Sequence, residues 1–108
     1  MAKYVIFFDL KSEAVKGMME RPSDRERVVS NLLSGVGGTL DAYYWMFGHY
    51  DGMVIVDLPD SMSAAAVSVA VSSTGAFGHL ETHELFPASA LNQIMDAAKS
   101  LTYFPPGG

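Results

Sequence analysis

Tyr4-Val5-Ile6-Phe7-Phe8 is a run of β-branched and aromatic residues with no charged position in it. Such residues favour extended backbone, and successive side chains of a strand point to opposite faces. Tyr4, Ile6 and Phe8 therefore share one face, Val5 and Phe7 the other, and both faces are apolar. A strand of this kind is covered from two sides, unlike a surface hairpin whose outer face is polar.

Ser12 is a candidate N-cap, and Glu13, Ala14, Val15, Met18 and Met19 follow helical spacing until Pro22 interrupts them. Ser23 and Glu26 restart the helix as an S-x-x-E capping box, with Val28, Val29, Leu32 and Leu33 as its buried stripe. Gly35, Gly37 and Gly38 end it. Thr39 to Phe47 reads as a second strand, crowded with Tyr43, Tyr44, Trp45 and Phe47, and Met53 to Leu58 as a third. The turn chemistry of Gly48-His49-Tyr50-Asp51-Gly52 joins the two as an antiparallel hairpin. A helix from about Met62 to Ser73 follows, capped by Asp60 or Ser61; it carries no charge and suits burial, while Val67, Val69 and Val71 leave a strand as the alternative. His79 to Phe86 is the fourth strand, and Pro87 and Ser89 start a last helix with Leu91, Ile94, Met95 and Ala98 on one face.

The order β-α-β-β-α-β with an extra C-terminal helix is that of an α+β, ferredoxin-like sandwich, an antiparallel sheet with helices on one face. One domain is expected over residues 1–102 and an extended tail over 103–108. Helices on one face leave the other face of the first strand bare. A second copy of the chain, packed sheet to sheet through a closed isologous interface, covers it and produces a dimeric α/β barrel.

Composition narrows the function. The 108 residues are 49% apolar and 18% charged, enough for one packed core and too apolar for a disordered tail. A formal charge of -5 supplies no footprint for phosphate backbones or anionic lipid, so neither nucleic acid nor membrane is an expected partner. No signal-peptide pattern precedes the first strand, and with no cysteine in the chain a cytoplasmic location is expected.

Gly48-His49-Tyr50-Asp51 is a G-x-Y-D tetrapeptide between the aromatic strand Ala42 to Phe47 and the apolar strand Met53 to Leu58. With Gly37-Gly38 before the second strand, Pro59-Asp60 after the third and Glu81-Thr82 in the fourth, the sequence from Lys3 to Leu91 resembles the GYD-domain family of small bacterial proteins. That resemblance implies the same dimeric α/β-barrel fold and carries no assigned biochemical role. His49 fills the free position of the motif, and the position of His83 is more often apolar in that family.

Three groups of residues could carry chemistry. Tyr50 and Asp51 are candidate catalytic residues, a hydroxyl donor and a carboxylate base at a pocket mouth; structurally, Asp51 caps the turn and Tyr50 packs over the hairpin. His79, Glu81 and His83 alternate along one strand face, and two imidazoles with a carboxylate are a ligand set for Zn or non-haem Fe; the plain alternative is a polar stripe on the sheet. Tyr43, Trp45 and His49 are candidate ligand-binding residues, with Ala64, Ala65, Ala66, Ser68 and Ala70 leaving room between helix and sheet, unless the aromatics only fill the core. The basic residues Lys11, Lys16, Arg21, Arg25 and Arg27 interleave with acids and read as a solvated face. No P-loop, G-x-G-x-x-G fingerprint, nucleophile elbow or H-E-x-x-H helix is present. The expected function is binding of a small, largely apolar molecule between sheet and helices. The alternatives are a metal-dependent or cofactor-independent oxygenase or isomerase, and an interaction module without a pocket.

Overall fold

In the computed structural model, which describes residues 1–107, the apolar run lies within β1 (Ala2–Leu10), an interior strand of a four-stranded antiparallel sheet. The chain continues through α1 (Ser12–Glu20), α2 (Arg25–Ser34), β2 (Thr39–Trp45), β3 (Gly52–Leu58), α3 (Ser61–Ser72) and β4 (Phe77–Leu85). A short 3-10 turn (Ala88–Ala90) then leads into α4 (Leu91–Lys99). The sheet order is β2-β3-β1-β4, with Tyr4 opposite both Val56 of β3 and Glu84 of β4. This is the ferredoxin-like α+β fold that the element order specifies.

The strand pattern sorts the sheet into two unlike faces. Tyr4, Ile6 and Phe8, with Val54, Val56 and Leu58, form the core together with Leu33 of α2 and Ala64 and Val67 of α3. On the opposite face Val5, Phe7, Met53, Ile55 and Tyr44 lie beside the polar residues His79, Glu81 and His83, and this face has no helix of the core upon it.

Local signals decide how each helix is seated. Asp60 caps α3, its Oδ1 accepting from the Ser63 N–H and hydroxyl at 2.8 Å each. Of its uncharged residues only Ala64 and Val67 are buried and Met62 and Val69 face outward, so α3 lies on the sheet along one stripe and is not enclosed. Ser12 is the first helical residue of α1, after Lys11, which supplies no side-chain cap. Ser23 and Glu26 do not form the expected capping box: Asp24, with its carboxylate accepting from the Arg27 N–H at 3.2 Å, is the cap of α2. The carboxylate one residue further on reaches the orphan N–H groups directly.

At the other end of α2, Gly37 takes φ +76 and Gly38 donates to the Leu33 carbonyl at 2.9 Å. Gly38 is needed for close approach: a Cβ there would stand 2.5 Å from Leu58 Cδ2 and 2.8 Å from the Asp57 carbonyl oxygen. The chain can thus turn from α2 into β2 directly over the end of β3.

The last helix departs most from expectation. Its stripe of Leu91, Ile94 and Met95 is exposed, and α4 has no buried residue. Leu101, Tyr103 and Phe104 beyond it are exposed as well. The radius of gyration is 17.3 Å, against about 13 Å for a compact chain of this size, because this segment extends away from the sheet. Of the expected tail, Tyr103 to Gly107 has no regular helix or strand, and Gly108 lies outside the described residues.

Candidate functional site

The hairpin between β2 and β3 places Tyr50 and Asp51 differently. The β1–β3 ladder ends at Phe8 opposite Gly52, so the next inward-facing amide, that of Leu10, has no partner on β3. Asp51 supplies one: its Oδ2 accepts from the Leu10 N–H at 2.8 Å, while its own N–H donates to the Phe8 carbonyl at 2.8 Å and its carbonyl accepts from the Met46 N–H at 2.9 Å. This carboxylate holds backbone together and does not open into a cavity. Tyr50 turns to the open face of the sheet, its ring 5.2 Å from Phe7, 4.7 Å from His49 and 6.2 Å from His79.

Tyr50 thereby joins the alternating residues of β4. Glu81 Oε2 lies 3.0 Å from His83 Nε2, its Oε1 lies 3.4 Å from His79 Nε2, and the Tyr50 hydroxyl is within its reach. His83, Tyr50 and His79, in that order of effect, hold the Glu81 carboxyl down to about 2. The strand spacing predicts that all three β4 side chains share a face, which they do. They form a hydrogen-bonded row, each imidazole taking a different carboxylate oxygen, and no three His, Asp or Glu side chains among the described residues are grouped to hold a metal ion. Side chains two apart on a regular strand are separated by about 6.5–7 Å, which favours a row over a cage.

The row has a pH signature. Because the folded Glu81 carboxyl sits below its ordinary 4.5, its contribution to stability is complete above pH 4.5 and is lost as pH falls toward 2. Glu81→Gln, which cannot titrate, is expected to flatten the fall of melting temperature over that window. A residual slope is expected from Asp60, which the Ser63 hydrogen bonds also lower. An unchanged acid limb in Glu81→Gln would contradict the coupling.

The second feature lies on the helix-covered face. Between the sheet and α1, α2 and α3 is a cavity of about 530 Å³. Its sheet wall carries Phe8, Tyr43, Trp45, Phe77 and Leu80, its helix walls Met18, Val29, Val67 and Val71. Phe8 is the hub of this wall, with Trp45 at 5.7 Å, Tyr43 at 6.1 Å and Phe77 at 5.6 Å, all edge to face. Tyr43 and Trp45 thus line the space expected of them, while His49, Tyr50 and Asp51 do not. The entrance expected near Tyr50 and Asp51 is not there: neither residue lines the cavity, and Tyr50 packs on Phe7, on the sheet face opposite Phe8. The small residues of α3 contribute Ala70 to the wall.

The model of the GYD domain family matches residues 4–95. The chain belongs to the GYD domain family. A search of curated proteins finds no match. Among solved structures, this GYD domain is similar to FFRP-DM1 at 15% identity and TM-score 0.54, covering 80% of this chain and 100% of that one. It is also similar to TTHA0845 from Thermus thermophilus, at 17% identity and TM-score 0.53, covering 82% and 96%. At3g17210 from Arabidopsis thaliana aligns at 13% identity and TM-score 0.52, covering 82% and 96%. At such identities the likeness establishes the shared fold.

In this GYD domain Asp51 is a strand-end clasp and Tyr50 faces the open sheet. The residues that sequence reasoning passes over are on the cavity: Arg21 and Arg25 line it, although their spacing among acids suggests a solvated face. A signal is present at Arg25, the first residue of α2, where the helix dipole disfavours a cation. No helix among the described residues is long and apolar enough to cross a membrane.

Proposed function

We propose that this GYD domain is a binding protein for a small, largely apolar molecule, held in the cavity between the sheet and the helices. The observation that carries this reading is the cavity itself, about 530 Å³ and walled by aromatic and aliphatic side chains. Ligand sites of a few hundred Å³ with this lining are the usual form of small-molecule pocket. Among the described residues no His, Asp or Glu lines the cavity, which supports binding over carboxylate or imidazole catalysis there. The absence of cysteine suits a reducing compartment such as the cytoplasm.

A ligand that binds only the folded state raises stability by about 2.7 kcal/mol at a hundredfold excess over Kd. Thermal melts against a panel of alkyl and aryl compounds are expected to give clear upward shifts. Val71→Phe, which adds a ring to the cavity wall, is expected to melt normally and lose the shift. A parent protein whose melting temperature no compound in the panel moves would sink the reading.

The binding unit is proposed to be a homodimer joined through the open sheet faces. Val5, Phe7, Met53, Ile55 and Tyr44 form the apolar part of that face, and a monomer leaves them without a helix above them. Sedimentation is expected to give twice the chain mass; a stable monomer at micromolar concentration would overturn the dimer.

A further inference from the structure

The cavity is apolar along its length but not at every point. Its charged lining residues are Arg21 and Arg25, both cationic, in a protein whose formal charge is -5. Arg21 lies 3.6 Å from Glu20 and is largely exposed, whereas Arg25 is half-buried and makes no ion pair among the described residues. One Arg25 guanidinium nitrogen donates to Ser23 Oγ at 3.3 Å, and Tyr43 lines the same cavity. Burial pushes the Tyr43 hydroxyl upward, so it stays protonated, and Arg25 only partly offsets that. A guanidinium has five N–H donors in a planar fork. One neutral oxygen, Ser23 Oγ, leaves most of that fork unused.

Arg25 is the first residue of α2, whose end is already capped by the Asp24 carboxylate, so it is the guanidinium and not the helix end that can receive an anion. A carboxylate there would be favoured by the planar fork, which can pair with both of its oxygens. The cavity therefore has a cationic, hydrogen-bonding corner and an otherwise apolar body.

We propose that the ligand is an anionic amphiphile of the alkyl or aryl carboxylate class. Its carboxylate is received by Arg25 with the Tyr43 hydroxyl as a further donor, and its apolar body lies along Phe8, Trp45 and Val67. This rests on the cavity being a binding site, and the test separates the two ideas. Trp45 is the sole tryptophan and stands in the cavity wall, so its fluorescence reports occupancy. The probes are dodecanoate and dodecan-1-ol, which share a chain and differ in charge, titrated below their aggregation concentrations at neutral pH.

Dodecanoate is expected to bind at least tenfold more tightly than the alcohol. Arg25→Gln is expected to bring the acid to parity with the alcohol, and an unchanged thermal melt shows that the variant is folded. Arg21→Gln should change the ratio less than twofold. Equal affinity of acid and alcohol for the parent would overturn the carboxylate preference and leave the cavity reading standing. So would an Arg25→Gln variant that weakens both probes equally. Binding of neither probe would remove both ideas for this chain-length class, including the proposed ligand.

Discussion

Leu58→Ala is expected to lower stability by about 2–5 kcal/mol, the range for removing a fully buried leucine whose surroundings cannot collapse. Leu58 is 0% exposed at the end of β3, packed beneath the turn from α2 into β2. In a domain of this size that corresponds to a fall in melting temperature on the order of 10–20 °C. The same contact predicts a coupling. Gly38→Ala alone would drive its Cβ into Leu58 Cδ2 at 2.5 Å and is expected to cost about 1–3 kcal/mol. In the double variant Leu58→Ala makes room for that methyl, so the combined loss should fall short of the sum by about 0.5–2 kcal/mol. Rescue stays partial because the Asp57 carbonyl oxygen, 2.8 Å from the same Cβ, is backbone and cannot rotate away. Urea unfolding of the four proteins measures this cycle; strict additivity, or a loss below about 1 kcal/mol for Leu58→Ala, would contradict the packing described.

The second large effect is at Asp51. Asp51→Ala leaves the partly buried Leu10 N–H without its acceptor and is expected to cost about 1–3 kcal/mol. Asp51→Asn keeps an oxygen that can accept the same N–H and should recover at least half of that loss. A catalytic carboxylate would behave in the opposite way, since Asn would abolish activity with little change in stability. Equal stability of all three proteins in denaturant titrations would show that the carboxylate anchors nothing and would return it to chemistry.

These two sites show how far the sequence can be read. Tyr4 to Phe8 announces a two-faced strand because period-two geometry acts within five residues, and Tyr4, Ile6 and Phe8 do form the helix-covered core. The alternation His79, Glu81, His83 announces a shared face for the same reason. What the pattern does not contain is distance across the chain. The partner of Asp51 is a backbone amide 41 positions away, left in need of an acceptor only because the β3 ladder stops at Gly52. Tyr50 and Asp51 are neighbours in the turn, yet the Asp51 carboxylate takes the Leu10 amide while Tyr50 goes to Glu81. Arg25 reads as solvated beside Asp24, Glu26 and Arg27; that it bends over a cavity depends on how α2 lands on the sheet, which Leu33 and Gly38 decide.

One further consequence follows from α4. A nine-residue helix is below the length at which helices persist in water without tertiary support, since nucleation is costly and few propagation steps repay it. With Leu91, Ile94 and Met95 turned to solvent, its order is conditional on a surface that this chain's own core does not supply. Helix content then becomes a thermodynamic variable of the solution. Far-ultraviolet ellipticity per residue is expected to rise with protein concentration where a second copy, as proposed, covers that stripe, and to be independent of concentration where it does not.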